Sequence, residues 1–309
     1  MPESLSIHTF GFGVDHDSAL MRRIAFSHHS GVYYYIDNKE SIPATFGESL
    51  YNVLSTVASN ITVQVSGQDG CRITRISSRC HYEEKTQLKE YIIKIGSISI
   101  QENRSILLRL SLRKMAQEIT EHNLLKISVQ YKNLLTNSIE TVESYLSVSR
   151  PDISPPLCSN KIPLELDMQL NRMLAVSAID EAILLSRQNN NLSGARELIK
   201  DTIMSIEKSI SYGETYCRDL VTDLRQCMNG LCDNVYFYGI HYANAYGSMY
   251  SSEKSNGCQY LRGLTDLVDN SCNNSRHRGY GYATKMGEEA SEKAKSQVQS
   301  FLCRYTVEL

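Results

Sequence analysis

The hydrophobic pattern changes period twice along the chain. From residue 5 to residue 59, short apolar runs alternate with stripes at helical spacing. Residues 7–12, IHTFGF, run into Gly13, as expected of a buried strand that ends in a tight loop. Leu20, Met21, Ile24 and Ala25 mark the apolar face of a helix. Asp15 or Asp17 is placed to cap it, and Ser30-Gly31 to end it. The β-branched and aromatic run at 32–36, VYYYI, reads as a second strand. Asp37 or Ser41 opens another helix with Pro43 in its first turn, and Phe46, Leu50, Val53, Leu54 and Val57 repeat at helical spacing. Strands alternating with helices predict a parallel sheet. Two strands bury little surface, and the apolar edge at residues 7–12 is a route to self-association.

From 60 to 149 the period shortens. ITVQV, CRITRI, YIIKIGSISI, SILLRLSL, LLKISVQY and VESYLSV alternate or run apolar, and polar or glycine-bearing turns separate them. Six or seven short strands without intervening helices predict an antiparallel β-sandwich. Glu83-Glu84-Lys85 reads as a solvated turn. Residues 150–163 hold four prolines and read as a linker.

From 164 to 309 the period is helical. Leu166, Leu170, Met173, Val176, Ile179 and Ile183 form one stripe. Ser193 is placed to cap a second helix with Ala195, Ile199, Ile203, Ile206 and Ile210 on its face, ended by Gly213. Tyr216, Leu220, Leu224 and Cys227 begin a third, which predicts an antiparallel hairpin or small bundle. Tyr238, Tyr242, Tyr246 and Tyr250 step by four and predict one tyrosine-lined helix face, packed or half-exposed. Tyrosine offers large contact area with a polar tip, so these four are the candidate interaction residues. The polar, glycine-rich stretch near 251–284 reads as partly mobile, and a charged helix is expected over roughly 285–303.

Composition narrows the function classes. The chain has 309 residues and a net charge of -2, without the basic footprint of a nucleic-acid or membrane-surface binder. No apolar run reaches membrane-spanning length, and the first residues lack the pattern of a secretory signal, so the expected location is cytoplasmic. Nine cysteines are scattered without a CxxC pair. Cys227, Cys232 and His241 come nearest to a metal cluster, but their spacing fits no common zinc pattern. No nucleophile elbow, phosphate-binding loop or HExxH motif occurs, and Gly11-Phe12-Gly13 is too short for a dinucleotide fingerprint. No catalytic residue and no cofactor is expected.

The stretch from Thr9 to Val65 resembles the C-terminal part of von Willebrand factor A domains. The resemblance rests on Thr9-Phe10-Gly11-Phe12-Gly13 with Asp15-His16-Asp17, then on Leu20, Ile24 and Ala25, on Gly31 before an aromatic strand, on the helix from Ser41, and on Leu54 with Val57. It is most similar to the subgroup that joins this domain to a β-sandwich and a helical tail (the Vwaint-like, hedgehog/intein-associated subgroup), which includes plant RING-type ubiquitin ligases. NNNLSGARELI, residues 189–199, resembles the turn between the first two helices of that tail.

The resemblance also sets what is missing. Such domains carry a metal-ion-dependent adhesion site built on an Asp-x-Ser-x-Ser loop, completed by a Thr and an Asp from later loops. By the resemblance all of these precede the strand at 7–12, and none is present in this sequence. Asp15 and Asp17 are the weak metal candidates that are left, while a hard cation needs several convergent oxygens. Helix capping accounts for both carboxylates. His16 reads as a solvated loop residue, and His28-His29 as a pair favoured by a helix C-terminus.

The expected fold class is multidomain α+β. A partial, doubly wound, A-domain-like α/β unit spans 1–59, a β-sandwich 60–149, a linker 150–163 and a helical region 164–309. The expected function is non-catalytic protein–protein interaction or scaffolding, with protein partners and neither nucleic acid nor membrane. Two alternatives are a recognition or partner subunit in a ubiquitin-ligase system, by analogy with the RING-bearing relatives, and a truncated remnant without independent function.

Overall fold

The computed structural model describes residues 5–115, 117–150, 162–188, 191–232, 236–254 and 289. The expected linker at 150–163 falls almost wholly outside the described residues. So do most of the stretch expected to be mobile at 251–284 and the helix expected over 285–303. The chain divides into two compact units, and the division does not follow the chain order. Residues 6–55 group with residues 164 onward, while 56–163 group with the first five residues.

The discontinuous unit opens with β1 (His8–Phe12), α1 (Ser18–Ala25), β2 (Val32–Ile36) and α2 (Ile42–Leu54). As the sequence predicts, β1 and β2 pair in parallel, with His8 opposite Val32 and Phe12 opposite Ile36. One face of this ribbon carries Thr9, whose hydroxyl donates to the Met21 carbonyl of α1 at 2.9 Å. The other carries Phe10, whose ring stacks on Phe46 of α2 at 4.4 Å. Ser41 stands at the N-cap position of α2, as expected, without a side-chain cap hydrogen bond; Asn38 caps the short 3-10 turn before it, accepting from the Ser41 amide at 2.9 Å.

Among the described residues, the unit continues with α3 (Leu164–Gln188), α4 (Leu192–Glu207), α5 (Thr215–Gly230) and α6 (Tyr236–Ser252). Ile179, Ile199, Ile206, Leu220 and Leu224 are buried in their core, and Tyr33 and Tyr35 of β2 belong to the same apolar cluster. The cap of α4 is Asn191, which accepts from the Gly194 amide at 2.9 Å, and not Ser193. That helix ends at Glu207, six residues before Gly213.

Helix α6 is the central element. Every residue from Gly239 to Tyr250 is buried, as for a helix packed on all sides. Its polar groups find partners inside the unit. Ser248 Oγ accepts from the backbone N–H of Tyr33 at 3.2 Å, so the helix supplies a hydrogen bond to the strand backbone of β2. Asn244 donates to Ser18 Oγ at 3.1 Å and to the Ile240 carbonyl at 2.8 Å. Gly239 sets the spacing to α5, because a Cβ there would stand 1.9 Å from the Gly230 carbonyl oxygen.

The other unit is all β among the described residues. Strands β3 (Thr56–Gly67), β5 (His81–Thr86), β6 (Glu90–Ser99), β8 (Ile119–Asn133) and β9 (Ser138–Arg150) form an antiparallel sheet in the order β5-β6-β3-β8-β9. Strands β4 (Cys71–Ser77) and β7 (Leu107–Leu112) form a separate two-stranded ribbon. Ile73 of the ribbon shares one apolar core with Val63, Val65, Ile93 and Leu124 of the large sheet. Two expectations change here. Val57 belongs to β3 and not to a helix stripe, and Glu83-Glu84-Lys85 lie within β5 and not in a turn. Both faces of β5 are exposed, so it lacks the alternating apolar pattern that reveals a strand.

Candidate functional site

In a parallel sheet, ligands usually gather at the C-terminal ends of the strands. In this chain that edge holds the β1–α1 loop, with Asp15, His16 and Asp17, and the end of β2, with Asp37. Asp17 is the helix cap the sequence predicts. Its Oδ1 accepts from the amides of Ala19 at 3.0 Å and Leu20 at 3.1 Å, and from Arg187 Nη2 of α3 at 2.8 Å. The Arg187 hydrogen bond, followed by the Leu20 amide, holds its carboxyl below the ordinary carboxylate range. Asp15 is exposed. Among the described residues, no group of three or more His, Cys, Asp or Glu is placed to hold a metal ion.

His16 departs from the solvated loop residue expected. Its Nε2 lies 2.9 Å from the Tyr33 hydroxyl, and its ring stacks on His241 of α6 with centroids 4.2 Å apart. Gly11 makes room for it, since a Cβ there would lie 2.1 Å from His16 Nε2. His241 lies on Tyr35 at 5.1 Å and places its Nε2 3.2 Å from the Val14 carbonyl. A carbonyl only accepts, so Nε2 of His241 carries the proton. Desolvation lowers the pKa of both imidazoles, and that of His241 falls to about 4 with a further contribution from the nearby His16. At neutral pH the pair is therefore uncharged, a stack that fastens the β1–α1 loop to α6.

The four tyrosines predicted as an interaction face are divided. Tyr242, Tyr246 and Tyr250 are buried, and only Tyr238 reaches the surface. Their polar tips work internally: the Tyr242 hydroxyl donates to Asp37 Oδ2 at 2.9 Å, and that of Tyr250 to Asp223 Oδ2 at 2.5 Å. An interaction face built on all four is thus corrected. A step of four identifies one helix face and is silent about the other faces, and here those are buried as well. Cys227, one of the three residues that came nearest to a metal cluster in the sequence, is buried in the bundle core, where desolvation pushes its thiol pKa well up.

A surface the sequence did not single out lies on α2. This helix buries Ala44, Thr45, Glu48, Ser49 and Asn52, while Phe46, Leu50, Val53 and Leu54 are 49%, 59%, 49% and 75% exposed. Its apolar stripe was legible; its direction was not. Phe12 at the end of β1 and Leu20 and Ile24 on α1 are also exposed. They sit on the elements flanking the edge of β1 that, among the described residues, carries no neighbouring strand.

Comparison with known proteins places the fold. A family model described as "CPSF6-like, RSLD domain, N-terminal region" matches residues 163–262, about a third of the chain and the stretch that holds α3 to α6. The chain resembles the solved structure of a von Willebrand factor type A protein from Catenulispora acidiphila, with a TM-score of 0.55 at 13% identity over 72% of this chain and 51% of that one. A second structure, the ArnB paralog VWA2 from Sulfolobus acidocaldarius, aligns at a TM-score of 0.43 and 16% identity over 80% of this chain and 56% of that one. The chain thus spans about half the length of the structures it matches. No curated protein matches it. The fold is similar to that of the von Willebrand factor type A protein. Among the described residues no helix is long and apolar enough to cross a membrane.

Proposed function

We propose that the chain is a non-catalytic protein-interaction module that binds a protein partner through the outward apolar face of α2 and the open edge of β1. The observation that carries this reading is the inverted burial of α2, with Leu50 and Leu54 in water and Glu48 and Asn52 inside. Contiguous exposed apolar side chains on a folded unit mark binding surfaces, and an open strand edge offers main-chain hydrogen bonds to an added strand. The candidate polar groups at the strand ends point the same way. Asp17 is spent on capping and on Arg187, His16 and His241 on each other, and Asp37 on Tyr242. A cytoplasmic working place belongs to the same reading; a reducing compartment suits Cys217 and Cys227, which are buried free thiols.

The test uses the pair Leu50→Glu and Leu54→Glu in the full chain. Both positions are solvent-facing, so thermal unfolding should shift by no more than surface substitutions do, about 0.5 kcal/mol. Proteins retained by the wild type and lost by the variant are purified and titrated against both by calorimetry. Binding to the wild type alone supports the reading. Equal binding to both, or nothing that distinguishes the two, overturns it.

A further inference from the structure

The large sheet of the all-β unit ends in two edges of opposite character. Edge β5 has six residues, carries Glu83, Glu84 and Lys85, and breaks register between Glu84 and Thr86. Those are the devices that keep strand edges from pairing. Edge β9 lacks the short length, the lysine and, over its regular part, the register break, although it too carries two carboxylates, Glu140 and Glu143. It is thirteen residues long, contains neither proline nor lysine, and pairs with β8 without a register break from Ser138 to Leu146. Its two carboxylates are already compensated within the chain: Glu143 by Lys126 Nζ at 2.8 Å, and Glu140 by hydrogen bonds from the Tyr131 hydroxyl at 2.7 Å and Asn133 Nδ2 at 2.8 Å.

The face of β9 is equally unfinished. Val142 lies opposite Val129, and Leu146 opposite Leu125, so both belong to the side of the sheet that carries the core. Yet they are 54% and 42% exposed, and among the described residues the covering ribbon has the two strands β4 and β7.

We propose that the chain forms a twofold dimer in which β9 pairs antiparallel with β9 of a second copy about a dyad at Ser144. The sequence of the strand is self-complementary in this register. Residues opposite each other have numbers that sum to twice 144, which keeps each residue on the same sheet face as its partner. Val142 then meets Leu146 of the second copy, twice, and extends the apolar core face across the joint. Glu143 meets Tyr145 beside Lys126, and Glu140 lies diagonal to Arg150 within reach of a long side chain. No like charges oppose. A dyad one residue away, at Glu143, would set two carboxylates against each other. The joint uses up the β9 edge and leaves this sheet, among the described residues, with the two charged β5 edges, so pairing through β9 closes at two copies. This dimer is independent of the α2 surface and stands or falls separately from it.

Sedimentation velocity of the full chain over a concentration series tests the dimer, beside the variant Val142→Lys with Leu146→Lys. The expected result is a monomer–dimer equilibrium that the double variant weakens at least roughly tenfold, with unchanged thermal unfolding. A second arm reads the register. Ser144→Cys should give an intermolecular disulfide that joins two copies of the peptide carrying position 144, as read by mass spectrometry. Ser138→Cys, opposite Arg150, should not cross-link to itself. A chain that stays monomeric, a dimer indifferent to the lysines, or cross-linking at 138 equal to that at 144 would each overturn the proposal.

Discussion

Asp223 holds its carboxyl inside the helical bundle, with Tyr250 donating to it and Asp219 nearby. Desolvation raises its pKa to about 8, against an ordinary value of 3.8, so the folded chain keeps a proton that the unfolded chain gives up. Its contribution to stability is full below pH ~4 and is lost as the pH rises through 8, at about 1.4 kcal/mol per pH unit. His241 works in the opposite sense. Its folded pKa of about 4 lies below the ordinary 6.5, so its contribution is full above 6.5 and is lost as the pH falls. The two slopes cancel between about 4 and 6.5. Above that, Asp223 acts alone and stability declines by about 2 kcal/mol up to pH 8. Urea unfolding at stepped pH should show the decline. Asp223→Asn, which leaves an acceptor for Tyr250, should flatten it, and a variant with the wild-type slope above pH 6.5 would contradict the assignment. At this scale the cap at Asp17 was legible, because capping is a local rule. The carboxyl of Asp223 was not, because its partner Tyr250 is 27 residues away on another helix.

Among the elements, α6 and α2 departed furthest from their sequence patterns. The sequence marked α6 by a tyrosine repeat, and the repeat hid the fact that its small residues, Gly239, Ala243, Ala245 and Gly247, let neighbours approach on the remaining sides. Gly239→Ala is the sharpest probe of that packing. Helix propensity favours alanine by about 1 kcal/mol. The added methyl, however, meets the backbone of Gly230, which no rotamer change can relieve, and overpacking of this kind costs about 1–3 kcal/mol. Net destabilisation is expected in thermal unfolding; an unchanged or raised midpoint would show that α5 and α6 are not in close contact there. For α2, periodicity located the apolar stripe but could not tell which face the fold would bury, since that depends on which neighbours are present.

At the scale of the whole molecule, the sequence presented the opening α/β segment, the β-rich region and the helical region as successive pieces. The structure joins the first and the last into one unit, with α6 supplying Ser248 to β2 and His241 to the β1–α1 loop. Hydrophobic periodicity reads each piece in isolation and carries no signal for a contact 215 residues apart. The short parallel ribbon that looked too small to stand alone is stabilised by this shared core.

Native-state hydrogen exchange measures that union directly. If β2 and α6 belong to one cooperative core, the amides of residues 32–36 and of residues 239–250 exchange with the same opening free energy and the same urea dependence. Gly239→Ala should lower both by the same amount. Exchange in 32–36 at a much lower free energy, unmoved by Gly239→Ala, would mean that the α/β segment folds and opens on its own and that the shared core does not hold it.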